Sequence, residues 1–344
     1  MIRALGAVVI GLAMTAPANA RDPKVTVLTF DQLQGWSADD HQAALDVFLG
    51  TCGDMKDPDW ASLCALASQQ PSARTFFELF FRPVLIEDGE PMLFTGYFEP
   101  ELDGSLVQTP RFRIPIYRKP PELQRGTRWL SRTQIEETSV LEGRGLEIAW
   151  VDDPVEAFFL QIQGSGRIKL PDGRMIRVGY SAANGHDYRS IGAELVRRGV
   201  YQAHQVSAQV LRSWVGRNPV EGRTLLQHNP SFVFFRKLRS LPADKGPLGA
   251  MNRSVTAMRT VAVDPRFTPL GAPVWIEKGG IGAMRRLMVA QDTGSAIKGA
   301  QRADIFVGTG DGAGREAGRI RDPGRMVVLM PIQRAYAMLP EGAQ

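Results

Sequence analysis

Two aspartates in the last quarter of the chain stand where chemistry is easiest to build. Asp292 closes the apolar run RRLMVAQD and opens Thr293-Gly294-Ser295, and twelve residues on Asp304 stands near the start of the apolar segment ADIFVG, which leads into a run with Gly308, Gly310, Gly312 and Gly314. Carboxylates at strand ends beside glycine-rich turns sit where backbone approaches a ligand and where an acid can exchange a proton with it. Capping of turns is the ordinary competing role for such residues. Asp292-Thr293-Gly294-Ser295 also spells the aspartic-protease signature, but that chemistry needs two such carboxylates sharing a proton, and no second Asp-Ser/Thr-Gly occurs. Gly312-Ala313-Gly314-Arg315-Glu316-Ala317 fits G-x-G-x-x-A, yet it lies too near the end of the sequence for a dinucleotide-binding βαβ unit. Cys52, Cys64 and the four histidines (His41, His186, His204, His228) show no ligand spacing, so neither a metal nor another cofactor is expected.

Elements able to position these groups follow from pattern. RTVAVD, APVWIE, RRLMVAQD, ADIFVG and RMVVLMP are five short apolar strands with brief connections, which argues for a closed or nearly closed β-barrel rather than a doubly wound sheet. MLFTGYFEPEL and RIPIY are strand-like and punctuated by Pro and Gly, and Pro171-Asp172-Gly173 between IKL and RMIRVGY marks a hairpin. Helices are expected after a capping box at Ser37 and Asp40, after Pro71-Ser72, after the cap Asp153 with Pro154 in first position, over 191–198, and over 207–215. The 35 Gly and 23 Pro exclude an all-helical bundle, and 344 residues suggest about two domains. The formal charge of +5 is diffuse, without the interleaved basic and aromatic residues of a nucleic-acid reader.

The first twenty residues combine Arg3, an apolar run from Ala4 to Met14, and Ala18-Asn19-Ala20, the pattern of a secretory leader cut after Ala20. No Cys follows the run to accept a lipid, and the run is too short to span a bilayer. The expectation is a periplasmic protein with at most peripheral attachment to the outer membrane or wall. In an oxidising compartment Cys52 and Cys64 are read as one disulfide.

RTVAVDPRFTPLGAPVWIE, LMVAQDTGSAIKGAQRADIFVGTGDGAGREAG and VVLMP resemble the three-aspartate "3D" domain, with Asp264, Asp292 and Asp304 as its aspartates. Together with TFFELFFRPVLI, FTGYFEPELDGS, IPIYRKP, IAWVDDPVEAFFLQIQGSGRI, VGYSAANGHDYRSIGAEL and NPSFVFFR, these segments resemble the family of membrane-bound lytic murein transglycosylase A, MltA. The resemblance implies a mainly β fold: a double-psi β-barrel built from both chain ends, over 21–108 and 237–344, with a smaller β-barrel inserted over 109–236 and a few peripheral helices. It implies cleavage of the β-1,4 bond between N-acetylmuramic acid and N-acetylglucosamine with formation of a 1,6-anhydromuramyl end. A single acid suffices for that reaction, because the sugar's own C6 hydroxyl attacks in place of water.

By motif position the resemblance assigns the acid to Asp304, whose apolar flanks Ala303, Ile305 and Phe306 favour its protonated form. Asp292 becomes the nearby second aspartate that polarises the reacting sugar, and Asp264 a structural residue. Candidates for holding the glycan strand are Tyr97 in Thr95-Gly96-Tyr97 by stacking, Gln161, Gln163 and Ser165 by hydrogen bonds to N-acetyl groups, and Asn184, Gly185 and Tyr188 as a second cluster. Lys298 is expected to meet a lactyl or peptide carboxylate. The expected partner is peptidoglycan, with other cell-wall enzymes as further candidates. Competing functions are a non-catalytic wall-binding module and a two-carboxylate hydrolase on the same scaffold.

Overall fold

The computed structural model describes residues 22–55, 57–69, 72–124, 126–280 and 282–339; the expected leader lies outside them. The helices are α1 (His41–Cys52), α2 (Pro58–Ala67), α3 (Ala73–Phe80), α4 (Arg132–Glu137), α5 (Pro154–Gln163), α6 (Ile191–Arg197), α7 (Ala208–Arg217), α8 (Pro219–Gln227), α9 (Gly310–Ala317) and α10 (Ile332–Ala337). One sheet takes strands from both ends of the chain: β1 (Lys24–Val27), β2 (Phe81–Glu87), β3 (Leu93–Glu99), then β10 (Thr260–Val263), β11 (Pro273–Lys278), β12 (Met284–Asp292), β13 (Arg302–Thr309), β14 (Arg321–Asp322) and β15 (Gly324–Pro331). The stretch between them supplies a second sheet of β4 (Glu101–Ser105), β5 (Ile114–Tyr117), β6 (Glu147–Val151), β7 (Ser165–Lys169), β8 (Met175–Ala183) and β9 (Val233–Leu238).

The first sheet runs in the order β1-β2-β15-β11-β12-β10-β13-β3-β14 and the second β5-β6-β4-β7-β8-β9. The mainly β architecture in two sheets is therefore as expected. Among the described residues the outermost strands β1 and β14 do not pair with each other. Parallel pairs, β10 with β12 and β13 with β3, are interleaved among antiparallel ones. β10 and β11 are buried along their whole length, which explains why they read as unbroken apolar runs rather than as an alternation.

Helices α1 to α3 close one side of this sheet. Phe48, Trp60, Phe76, Phe77 and Phe81 pack there with Trp275, all fully buried. Each such aromatic contributes roughly 2–3 kcal/mol through the apolar area it removes from water. Cys52 at the end of α1 and Cys64 in α2 are joined, with Cα atoms 5.5 Å apart, and fasten the two helices under this cluster.

Three local readings are refined. Helix α1 is capped by Asp40 alone, whose carboxylate accepts from the Ala43 amide, while Ser37 lies in a preceding 3₁₀ turn over Trp36–Ala38. The Gly-rich stretch after Asp304 is helix α9, not a loop. Gly314 serves close packing, since a Cβ there would come within 2.8 Å of the Phe98 ring. Helix α8 was not anticipated, although Pro219 in its first position signals it. The Asp153 cap is as expected, its side chain accepting from the Val155 and Glu156 amides.

The chain leaves the first sheet at Glu99 and enters the second at Glu101. There Glu99, wholly buried, accepts from Arg177 at 2.7 Å, Arg167 at 2.9 Å and the Thr309 hydroxyl at 3.0 Å. Arg177 and Arg167 stand on β8 and β7, so one carboxylate ties both sheets together at the point where the chain crosses.

Candidate active site

Strand β13 lies between β10 and β3. Asp304 is opposite Ala262 on one side and Thr95 on the other, and Ala262 is also opposite Asp292 of β12. The backbones that carry the two carboxylates are therefore two strand spacings apart, roughly 10 Å. Phe306 and Tyr97 face each other in the same register, with rings 5.2 Å apart.

Hydroxyl groups of β3 reach both acids. Thr95 Oγ1 donates to Asp304 Oδ1 at 2.6 Å, and the Tyr97 hydroxyl donates to Asp292 Oδ2 at 3.0 Å. Asp292 Oδ1 also accepts from the amides of Thr293 at 2.9 Å and Ala250 at 3.0 Å. The loop carrying Ala250 comes this close because residue 249 is glycine: a Cβ there would lie 2.7 Å from the Gln291 carbonyl oxygen. Asp292 thus has both oxygens occupied, whereas Asp304 Oδ2 makes no hydrogen bond among the described residues.

Both side chains are half-buried, and burial raises both pKa values. Asp292 is pushed up to about 6 by burial, against the Thr293 amide, the Tyr97 hydroxyl and the Ala250 amide, with the charge of Asp304 adding to the rise. Asp304 is raised by burial, with the Thr95 hydroxyl and the charge of Arg302 opposing. Tyr97 is held well above the ordinary phenol value by burial and then by the charge of Asp292, so it remains a donor. Burial thus favours the protonated form of both acids, and a carboxyl so placed can give its proton up and take one back.

Asp264 has a different environment. Its carboxylate, almost completely buried, accepts from the Gly299 amide at 3.0 Å and from the backbone and guanidinium of Arg266. Burial works against the charge, but the Arg266 hydrogen bond and the Gly299 and Arg266 amides outweigh it and pull the pKa down to about 2. It is a permanent anion that pins the turn after β10 to the segment following β12.

The remaining candidates are spread over the molecule. Gly96 lies under α9, where a Cβ would meet the Ala317 backbone at 2.8 Å. Gln163 Oε1 accepts from the Phe98 amide at 3.1 Å, and Ser165 is buried at the start of β7 opposite Gly179. Gln161 accepts from Arg132 at 2.6 Å and lines a cavity of about 900 Å³ in the second-sheet region, to which none of the three aspartates contributes. Asn184 is fully buried: its amide nitrogen donates to the Leu130 and Pro230 carbonyls and its oxygen accepts from the Phe232 amide. Gly185 beside it takes a φ of 76° and passes close to the Thr127 carbonyl. Tyr188 is half-buried with its hydroxyl toward Ser190, and Lys298 is exposed in the segment after Asp292. The structure brings Thr95 with Asp304 and Tyr97 with Asp292 into two neighbouring hydrogen-bonded pairs, and leaves Asn184 and Gln161 engaged elsewhere.

Sequence reading passed over Arg302 and the Ala250 amide. Arg302 stands two residues before Asp304 on β13, so strand alternation turns both side chains to one face, and that spacing was the available signal.

A mixed β-sheet bearing two half-buried acids, each bonded by a hydroxyl of β3, is the geometry of a candidate acid–base site. The chain matches the MltA specific insert domain over residues 93–236 and the 3D domain over residues 259–330. It is 32% identical over 267 residues to membrane-bound lytic murein transglycosylase A of Vibrio cholerae, which covers 74% of this chain and 70% of that one. With the Escherichia coli K12 protein of that name it shares 36% over 246 residues, 69% of this chain and 65% of the other. Among solved structures it is similar to a membrane-bound lytic murein transglycosylase from Agrobacterium tumefaciens, with a TM-score of 0.82 at 32% identity over 91% of this chain and 99% of that one. MltA from Neisseria gonorrhoeae gives 0.77 at 32% over 94% and 96%, and E. coli MltA with bound chitohexaose 0.70 at 28% over 86% and 91%. The chain belongs to the MltA family of lytic murein transglycosylases.

Proposed function

We propose that this protein cleaves the β-1,4 bond between N-acetylmuramic acid and N-acetylglucosamine in peptidoglycan and leaves a 1,6-anhydromuramyl end, with Asp304 as the one acid–base group. The observation that carries the choice is the difference between the two carboxylates: Asp292 has both oxygens engaged, while among the described residues Asp304 Oδ2 has no hydrogen-bond partner and Oδ1 has a hydroxyl. In the first step the proton on Asp304 Oδ2 passes to the glycosidic oxygen as the bond from that oxygen to C1 breaks. The C6 hydroxyl oxygen of the same muramyl residue then bonds to C1, and its proton returns to Asp304. No water is consumed, so no second carboxylate is needed to activate one.

Asp292, fixed by Tyr97 and two amides, holds negative charge and hydrogen-bonding capacity beside the reacting sugar. Thr95 and Tyr97 act in this reading by setting the two acids. Exposed Lys298 takes a substrate carboxylate, and Gln163, Ser165 and Tyr188 are candidates for the N-acetyl groups. The hexasaccharide bound in the E. coli relative supports a glycan chain as the occupant. Residues 109–236 form the insert of the family in this account, with β4 as its lead-in, and the flanking parts the catalytic unit. Residues 1–20 direct export to the periplasm; among the described residues no helix is long and apolar enough to cross a membrane.

Incubation with purified sacculi tests the activity. Mass spectrometry should find released muropeptides lighter by one water than reducing-end products. Release of reducing-end products alone would indicate a hydrolase, and binding without release a wall-binding module.

A further inference from the structure

Arg302 lies next to the acid without touching the free oxygen, and its hydrogen bonds form a relay. One guanidinium nitrogen donates to the Leu93 carbonyl at 3.1 Å and the Ala303 carbonyl at 2.7 Å, which locks the fork across β3 and β13. The other donates to Thr95 Oγ1 at 2.8 Å, and Thr95 Oγ1 lies 2.6 Å from Asp304 Oδ1. A guanidinium only donates, so the Thr95 oxygen accepts from it and turns its single hydrogen to Asp304. We propose that Arg302 is a positioning residue for this reaction: through Thr95 it fixes a donor on Asp304 Oδ1, and so confines the transferable proton to Oδ2.

The proposal rests on the reading of Asp304 as the acid–base group. A carboxyl that rotated its proton onto Oδ1 would point it at Thr95 and away from any sugar. With Thr95 oriented, the proton has one productive site and the carboxylate one oxygen free to take a proton back. The charge of Arg302 works in the same direction as the hydroxyl, because both favour the ionised acid that must form in the first step. Other groups sense the same centre: Tyr97 on β3 and Asp292 on β12 interact electrostatically with Asp304, and Arg321, opposite Thr95 on β14, faces Arg302. The opposing strand β10 contributes Ala262 there and no charge. Arg302 is the one cation among them with a direct line to Asp304 through Thr95.

The test is the pH profile of anhydromuropeptide release for Arg302→Met, Arg302→Lys and Thr95→Val beside the parent protein, each checked by thermal melt. Without the cation, the carboxylate is less favoured, so the pKa of Asp304 rises. The limb on which activity falls as the acid deprotonates should move upward by about one pH unit in Arg302→Met. kcat should drop about tenfold with KM for soluble glycan strands nearly unchanged. Arg302→Lys, which keeps the charge, should return the limb toward the parent position. Thr95→Val, which cuts the relay and leaves Arg302, should move it upward, and carries the test should Arg302→Met not fold. Limbs that coincide with the parent in Arg302→Met or Thr95→Val, even with lower rates, would mean a structural role only and overturn the proposal. A parent protein that releases no anhydro products would overturn the acid assignment beneath it.

Discussion

Asp304→Asn should lose release of anhydromuropeptides by a factor on the order of 10² to 10⁴, the contribution expected of a general acid–base group. Asparagine keeps the shape of the side chain and can still accept from Thr95 Oγ1, which donates to Asp304 Oδ1 in the parent. What it lacks is a proton to give to the departing oxygen and a carboxylate to receive one. Folding and glycan binding should therefore persist, checked by thermal melt and by co-sedimentation with sacculi. Asp292→Asn should be milder, since an amide oxygen accepts from Ala250 and Thr293 as the carboxylate does, and the amide nitrogen can donate to the Tyr97 oxygen. The comparison discriminates because both acids are half-buried with raised pKa values, so titration alone does not separate them. An active Asp304 variant beside a dead Asp292 variant would move the acid to Asp292.

The second large effect is on stability. Glu99→Gln should cost on the order of 3 kcal/mol, because it leaves buried Arg177 without the charge that compensates it and Arg167 with only the more distant Glu101, and breaking a buried pair strands the remaining ion. Both oxygens of Glu99 are used and the side chain is almost wholly enclosed. A surface pair gives the contrast. Arg111 meets Asp152 at 2.8 Å with its side chain 61% exposed, and Asp152→Asn should change stability by less than about 1 kcal/mol. Urea unfolding of both variants measures the difference. Equal costs would mean that the Glu99 cluster is as well solvated as the surface pair, and that packing rather than this ion cluster holds the two sheets together.

The strands of the last third were legible because each is a short apolar run bounded by turn residues; Thr260–Val263 and Pro273–Lys278 lie close to where RTVAVD and APVWIE put them. Helix α9 was hidden by its own composition: Gly310, Gly312 and Gly314 lower helix propensity, and only the contact with Phe98 explains Gly314. Asp292 and Asp304 were legible as acids at strand ends, but their partners were not. Thr95 and Asp304 are 209 residues apart in sequence, and a parallel pairing of β3 with β13 leaves no local trace. Asn184 was misleading for a physical reason, since a buried amide satisfying three backbone groups and one offered to a sugar look alike in sequence.

The central claim is that the muramyl C6 hydroxyl, and not water, attacks C1 while Asp304 alone moves the proton. Digestion of purified sacculi in heavy-oxygen water reads this directly. An intramolecular attack takes no oxygen from solvent, so the released muropeptides should keep the natural oxygen mass at the muramyl terminus. Hydrolysis inserts one solvent oxygen at C1. Heavy oxygen in the newly formed ends, at one atom per cleavage, would contradict the account and make Asp292 and Asp304 the paired carboxylates of a hydrolase.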